Sequence, residues 1–265
     1  MLNTGTSASI ISSQEKYSIL IKDASFLYHL EDEVPVFRNL DFEVKTGENV
    51  FLLGNSASGK SSLVKAIMGL LHLSSGSYEA FEKNMKDPSV RTLHTIRRRI
   101  GILPDRGILI NNLSVQGNLA FPLRFIAHYS KQRSMEIVAG ILKEHDLVSI
   151  QDCLPFELSI NMIKTIGLLR ALLFEPTLLI LDDPMEGLDA EGIKFFQMVF
   201  EQLKKSPHTS VLMLSSKPVL IPGLFDRFCE ITPEGIRSVD RSRIEELQAA
   251  CMFYPSERPG EYAKE

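Results

Sequence analysis

Gly54, Asn55, Ser56, Ala57, Ser58, Gly59, Lys60 and Ser61 fit the pattern G-x-x-x-x-G-K-[ST], a set of residue types suited to holding phosphate. Glycines let the backbone turn so that successive N–H groups point inward, and a helix beginning near Lys60 adds the positive end of its dipole. Lys60 is then placed to reach the β- and γ-phosphates of a nucleotide, and the Ser61 hydroxyl to ligate Mg²⁺. The plainer alternative is a glycine-rich turn that happens to precede Lys-Ser. Against it stand the apolar run Val50–Leu53 before the turn and the helical pattern Lys60–Leu71 after it, the context the mechanism needs. A second apolar run, Leu178–Leu181, ends in Asp182 and Asp183. A carboxylate at the end of a buried strand can hold Mg²⁺ through water, which makes Asp182 the second candidate metal residue. The alternative there is an aspartate that only caps a turn.

The elements that must position these groups are legible from periodicity. Tyr17–Tyr28 alternates as a strand, and a second strand lies near Asp41–Val44. The helix Lys60–Leu71 is expected to end at Ser74-Ser75-Gly76, before a strand at Ser77–Phe81. Helices follow over roughly Pro88–Arg99, Val115–Ile126, Lys131–His145 and Ser159–Phe174, the last read as amphipathic, with a strand at Ile100–Leu103 between the first two. Strand and helix alternate again through Leu178–Asp182, Ala190–Lys205 and Ser210–Leu214, and Phe228–Ile231 with Ile236–Val239 reads as a hairpin over Thr232-Pro233-Glu234-Gly235. The plan is α/β, a parallel-sheet domain interrupted by a helical insertion at about 87–158. Residues 1–16 read as a disordered leader, 17–250 as the folded domain, and 251–265 as a flexible tail containing Pro255, Pro259 and Gly260.

Composition narrows the partners. With 265 residues, 44% hydrophobic and 23% charged, the chain can bury a sizeable core. A net charge of −4 argues against broad nucleic-acid binding, and Arg97-Arg98-Arg99 reads as a solvated helix end. Cys153, Cys229 and Cys251 are odd in number and lack CxxC pairing, which suits a reducing compartment and inert thiols. No apolar stretch reaches about 18 residues. A cytoplasmic protein is expected, with any membrane connection made through a partner.

The order of motifs resembles the ATP-binding subunits of ABC transporters from Tyr17 to about Leu247. GNSASGKSS (Gly54–Ser62) is similar to that family's Walker A, LLILDD to its Walker B, Glu186-Gly187-Leu188-Asp189 to its D-loop, and LRAL at Leu169–Leu172 to the stretch before Walker B. The resemblance implies a P-loop NTPase core with a mostly parallel sheet, an N-terminal antiparallel β-subdomain and a helical insertion. It implies ATP and Mg²⁺ as cofactors, with Gly54–Ser62 holding the phosphates and Ser61 and Asp182 the metal. Tyr28 falls where the family stacks an aromatic ring on adenine, although a strand tyrosine packing at a sheet edge is the alternative. Ser159 stands in the signature that contacts the γ-phosphate held by an opposite subunit. The implied partners are an integral membrane permease subunit and a second ATP-binding subunit, in a homodimer or a heterodimer, with the chain peripheral on the inner face of the cell membrane.

Four positions depart from that family. Its LSGGQ signature is Leu158-Ser159-Ile160-Asn161-Met162 here, and its Q-loop glutamine is Asp105. The glutamate after the Walker B aspartate is Asp183, and the switch histidine is Ser216. Asp183 is one methylene shorter than glutamate, a retreat of roughly 1.5 Å, and such misplacement can cost on the order of 10²-fold in rate. Slow or impaired hydrolysis at the degenerate positions Asp183 and Ser216 is therefore expected. The alternative is a structural or regulatory nucleotide-binding subunit paired with an intact ATPase. Val115–Arg124 is similar to the corresponding segment of MCE-associated, Mla-type lipid-transport ATPases, which implies lipid transport; the alternative is a generic helix with an apolar face, and other importers carry near variants.

Overall fold

A computed structural model describes residues 15–206, 208–232 and 234–253, with side chains as far as Ala250. The elements in chain order begin with β1 (Tyr17–Leu27), β2 (Phe37–Lys45), β3 (Asn49–Leu53), α1 (Lys60–Ile67), β4 (His72–Ala80) and β5 (Lys83–Asn84). Next come α2 (Val90–Arg97), β6 (Ile100–Leu103), α3 (Val115–Phe125), α4 (Lys131–Glu144), α5 (Ile160–Leu172) and β7 (Leu178–Asp182). Then follow α6 (Ala190–Leu203), β8 (Ser210–Ser215), β9 (Arg227–Thr232), β10 (Gly235–Val239) and α7 (Arg241–Phe253).

Among these, a six-stranded sheet in the order β10-β9-β3-β8-β7-β6 forms the core, parallel except for the β9–β10 pair. Its central strands are continuous apolar runs because both faces are covered. Val50, Leu52, Leu178, Ile180, Leu212 and Leu214 point into one cluster. Phe51, Leu53, Leu179, Leu181, Val211 and Met213 point into the other, against Phe196 and Phe200 of α6. The first cluster is closed by an antiparallel sheet, β2-β1-β4-β5. A third cluster joins α3, α4 and α5 through Leu119, Leu123, Ile141 and Leu169.

The fold class is that of an α/β P-loop core with a mostly parallel sheet and an antiparallel N-terminal sheet, as expected. Several details differ. Helix α1 ends at Ile67, and Ser74-Ser75-Gly76 does not terminate it but lies inside β4. Gly76, at φ 74°, faces a register shift between Lys22 and Ser25 of β1. A Cβ there would sit 2.1 Å from the Asp23 carbonyl oxygen. The glycine thus marks a bulge, not a stop. Helix α5 is not simply amphipathic: Ile166 and Leu169 enter the α3/α4 cluster while Leu168 enters the sheet cluster, so two partners bury opposite sides. Helix α7 was not expected, and it runs to Phe253. Residues 254–265 of the expected tail and 1–14 of the expected leader lie outside the described residues. Glu15 and Lys16 are described, and Glu15 Oε2 pairs with Arg99 at 2.5 Å. Among the described residues no helix is long and apolar enough to cross a membrane.

Candidate functional site

Strand register brings the site together. β3 and β8 pair in parallel with Leu53 opposite Ser215, and β7 and β8 pair with Asp182 opposite Leu214. The C-terminal ends of three adjacent strands therefore deliver Gly54, Asp182 with Asp183, and Ser215 with Ser216 to one edge. Parallel sheets place their ligands at that edge. Gly54 N–H donates to Ser215 O at 2.9 Å, and Asp183 N–H to Leu214 O at 2.9 Å, so the two loops leave the sheet already fastened to β8.

The cradle between β3 and α1 is tight. A Cβ on Gly54 would lie 2.2 Å from Ile231 Cγ2, which only glycine avoids. Ala57 has φ 64° and Gly59 φ 100°, conformations that turn N–H groups to the concave side. Lys60 is 7% exposed. Its ammonium donates to Gly54 O at 2.6 Å and Asn55 O at 3.2 Å, and lies 3.9 Å from Asp183 Oδ2. Ser61 Oγ donates to Asp182 Oδ2 at 3.3 Å. Burial raises the pKa of Asp182 and the neighbouring Asp183 adds to this, opposed by the Ser61 hydroxyl and Lys60.

These residues fit a Mg-nucleotide. Ser58 Oγ is buried with no hydrogen-bond partner among the described residues. Lys60 is a buried cation facing the loop's own carbonyls, and Ser61 with Asp182 forms a pair of hard oxygens of the type Mg²⁺ prefers. When bound, the metal neutralises charge on the terminal phosphates. The loop N–H groups and Lys60 would be placed to orient those phosphates, and Asp182 and Ser61 to hold the metal.

The remaining candidates divide. Asp183, at φ 44°, has its Oδ1 occupied by Ser216, whose N–H donates at 2.6 Å and whose hydroxyl donates at 2.9 Å. The two substituted positions are thus directly bonded to each other. Asp105 is exposed, close enough to Asp182 and Lys164 to act on both electrostatically. Tyr28 lies beside the cradle, its hydroxyl 2.8 Å from Ser62 Oγ, with Lys65 Nζ 5.0 Å over the ring centroid. Ser159 is set apart, since it caps α5 by accepting from Met162 N–H at 3.3 Å and no hydrogen bond among the described residues joins it to the cradle. Next to it, Ile160 is 40% exposed and packs over Gly187, and Asn161 Oδ1 accepts from Asp189 N–H at 3.1 Å.

Lys164 and Lys217 of this cluster escaped the sequence reading, and Glu186 entered it only as the first residue of the D-loop resemblance. Glu186 accepts from Ser216 Oγ at 3.3 Å and from Lys217 Nζ at 3.0 Å, and the Lys217 contact holds its pKa below the usual carboxylate value. Lys164 on α5 is 1% exposed and donates into the turn after β7. A lone lysine amid Ile160–Leu173, a stretch otherwise rich in apolar residues, was the available signal for it. Lys217 gave none, because exposed charges in loops are ordinary.

The fold and the cradle define a nucleotide-binding cassette, and comparison with known proteins identifies which. The sequence model described as ABC transporter matches residues 37–186, more than half of the chain. The chain therefore belongs to the ABC transporter family. It is 30% identical over 239 residues to the methionine import ATP-binding protein MetN 1 of Rhodopseudomonas palustris, covering 89% of this chain and 63% of that protein. It is 28% identical over 196 residues to the intermembrane phospholipid transport system ATP-binding protein MlaF of Haemophilus influenzae, covering 74% of each. The dimeric structure of MJ0796, a bacterial ABC transporter cassette, superposes with a TM-score of 0.72 at 22% identity, covering 84% of this chain and 98% of that one. The chain spans less than two thirds of the length of the methionine-import relatives it matches, 62% and 63%.

Proposed function

We propose that this chain works in an ABC-type membrane transport complex, binding Mg-ATP on Gly54–Ser62 and splitting it slowly. The observation that carries this reading is the pairing of an ordered cradle with a carboxylate one of whose oxygens, Asp183 Oδ1, is already taken. Lys60, Ser61 and Asp182 stand as the binding groups, whereas the N–H and the hydroxyl of Ser216 both donate to Asp183 Oδ1. A carboxylate so engaged is a weak acceptor for the proton of an attacking water. Ile160 adds to this: a β-branched side chain stands where the family's signature brings its backbone against the partner's γ-phosphate. Tyr28 is assigned to the adenine side and Asp105 to the face toward the permease.

The complex has two such subunits facing head to tail and an integral membrane permease that holds the chain at the inner face of the membrane. Phospholipid is one substrate class the relatives suggest, through MlaF; others act in methionine and zinc import. The second reading, a subunit that binds ATP to glue a heterodimer without splitting it, is favoured by the same Ser216–Asp183 bond.

Two measurements decide. Mg-ATP binding to the purified chain is expected, and Lys60→Ala is expected to abolish it, because the cradle loses its only cationic side chain among the described residues. Phosphate release by the complex purified with its permease is expected to be slow but above that of the Lys60→Ala complex. Release no faster than that variant would leave the non-hydrolysing reading, and absence of binding would overturn both.

A further inference from the structure

Lys164 is 1% exposed, and burying an ammonium is costly unless its protons are all used. Here they are spent on a single turn. Nζ donates to the carbonyls of Asp183 at 2.7 Å, Glu186 at 2.7 Å and Pro184 at 3.5 Å. That turn begins at Asp183, whose φ of 44° is unfavourable for a non-glycine residue and persists only where neighbours enforce it. Burial lowers the lysine's pKa, and Asp105, Asp183, Glu186 and Asp182 each act to raise it again, so the ammonium is surrounded by acidic groups of the site.

The same helix is fastened at its other side to the loop between β6 and α3. Arg170 donates to Ile108 O at 2.5 Å and to Asn118 Oδ1 at 3.3 Å. Asn118, fully buried, holds that loop through Ile110 N–H and the carbonyls of Ile110, Leu113 and Ser114. Gly167 allows the approach, since a Cβ there would stand 2.7 Å from Gly107 O. Between Lys164 and Arg170 runs less than two turns of uninterrupted helix, too short and too well packed to bend.

We propose that Lys164 is a positioning residue through which α5 carries movement of the 104–114 loop to the Asp183–Glu186 turn, and so to the carboxylates of the nucleotide site. Only the last link rests on the ATP-binding reading given above. The loop carries Asp105, so Lys164 provides a route from that face to the site that does not run through the side chain at 105.

Amide hydrogen exchange on the full chain without nucleotide tests the linkage. Lys164→Met is expected to speed exchange in residues 183–189 by about tenfold while residues 210–215 of β8 stay unchanged. Lys164→Gln, which keeps two N–H donors, is expected to restore most of the protection. Gly167→Ala, which pushes the loop from α5, is expected to speed exchange in both 105–113 and 183–189. Combined with Lys164→Met, it should still loosen 105–113 but add nothing at 183–189. Additive effects at 183–189, an unchanged turn in Lys164→Met, or equal acceleration of β8 would each overturn the proposal. Should Lys164→Met not fold, the cycle of Gly167→Ala with Lys164→Ala, which also lacks the side-chain donors, decides by the same criterion. With Mg-ATP present, Lys164→Met is expected to bind within about threefold of the parent and to lose proportionally more in turnover than in KM. Failure of the chain to bind Mg-ATP sinks the functional reading and leaves the exchange cycle standing.

Discussion

Asp182 and Asp183 are adjacent in sequence and opposite in circumstance. Asp183 receives two hydrogen bonds from Ser216, whereas Asp182 is buried with one hydroxyl and a like charge beside it. Its pKa therefore lies above 3.8, the ordinary value. An aspartate that binds its proton more tightly when folded favours the fold below its ordinary pKa. That contribution is lost as pH rises through the raised value, so ionised Asp182 opposes folding at neutral pH. Asp182→Asn is accordingly expected to match or exceed the parent in thermal stability at pH 7 without Mg²⁺. The difference should vanish below pH 3.8, where the parent carboxyl is protonated. The stabilisation by Mg²⁺ expected of the parent should be absent in the variant, because the metal's charge no longer offsets a buried carboxylate. Thermal melts across pH, with and without Mg²⁺, read all three.

The bulge in β4 and the strut α5 show how single elements set the site's frame. Gly76 lets β4 pass the Asp23 backbone, and β4 packs Tyr78 into the cluster that supports α1, where its hydroxyl donates to Ile67 O at 2.6 Å. Gly76→Ala places a methyl against a carbonyl and keeps an unfavourable φ, so a loss of about 2–4 kcal/mol is expected by denaturant unfolding. Helix α5 shows what periodicity conceals. Its apolar residues point around most of its circumference because two clusters flank it, and that arrangement hid Lys164 among them. The starts of α2 to α6 lie within two residues of those expected, and Ser89, Ser114, Ser130, Ser159 and Asp189 act there as N-caps by accepting from the first turn. The end of α1 was misread because Ser74-Ser75-Gly76 is also turn chemistry, and only the pairing of β1 with β4 distinguishes a bulge from a stop.

At the scale of the whole molecule, Ser159 and the cradle occupy different parts of the chain. The signature helix presents Ile160 and Met162, 40% and 38% exposed, on a surface that includes Gly187 of the loop after β7. Under the proposed head-to-tail pairing this surface covers the partner's nucleotide. Mg-ATP is then expected to drive association, visible as a doubled mass in light scattering. Ile160→Arg should abolish the doubling while leaving nucleotide affinity of the single chain unchanged. Loss of binding together with association would show that Ile160 supports the fold and would count against the pairing.

The sequence by itself determined the α/β class, the glycine-rich turn before Lys60 and the strand carrying Asp182, because those depend on local patterns: a turn that needs glycine and runs of apolar residues. Which loops meet was decided by tertiary structure. Parallel register of β3, β8 and β7 placed Ser216 on Asp183, though thirty-three residues separate them. The packing of α5 between two clusters drove Lys164 under the Asp183–Glu186 turn. A buried charge is stable only where distant backbone groups satisfy it, and that condition is written in no single stretch of the chain.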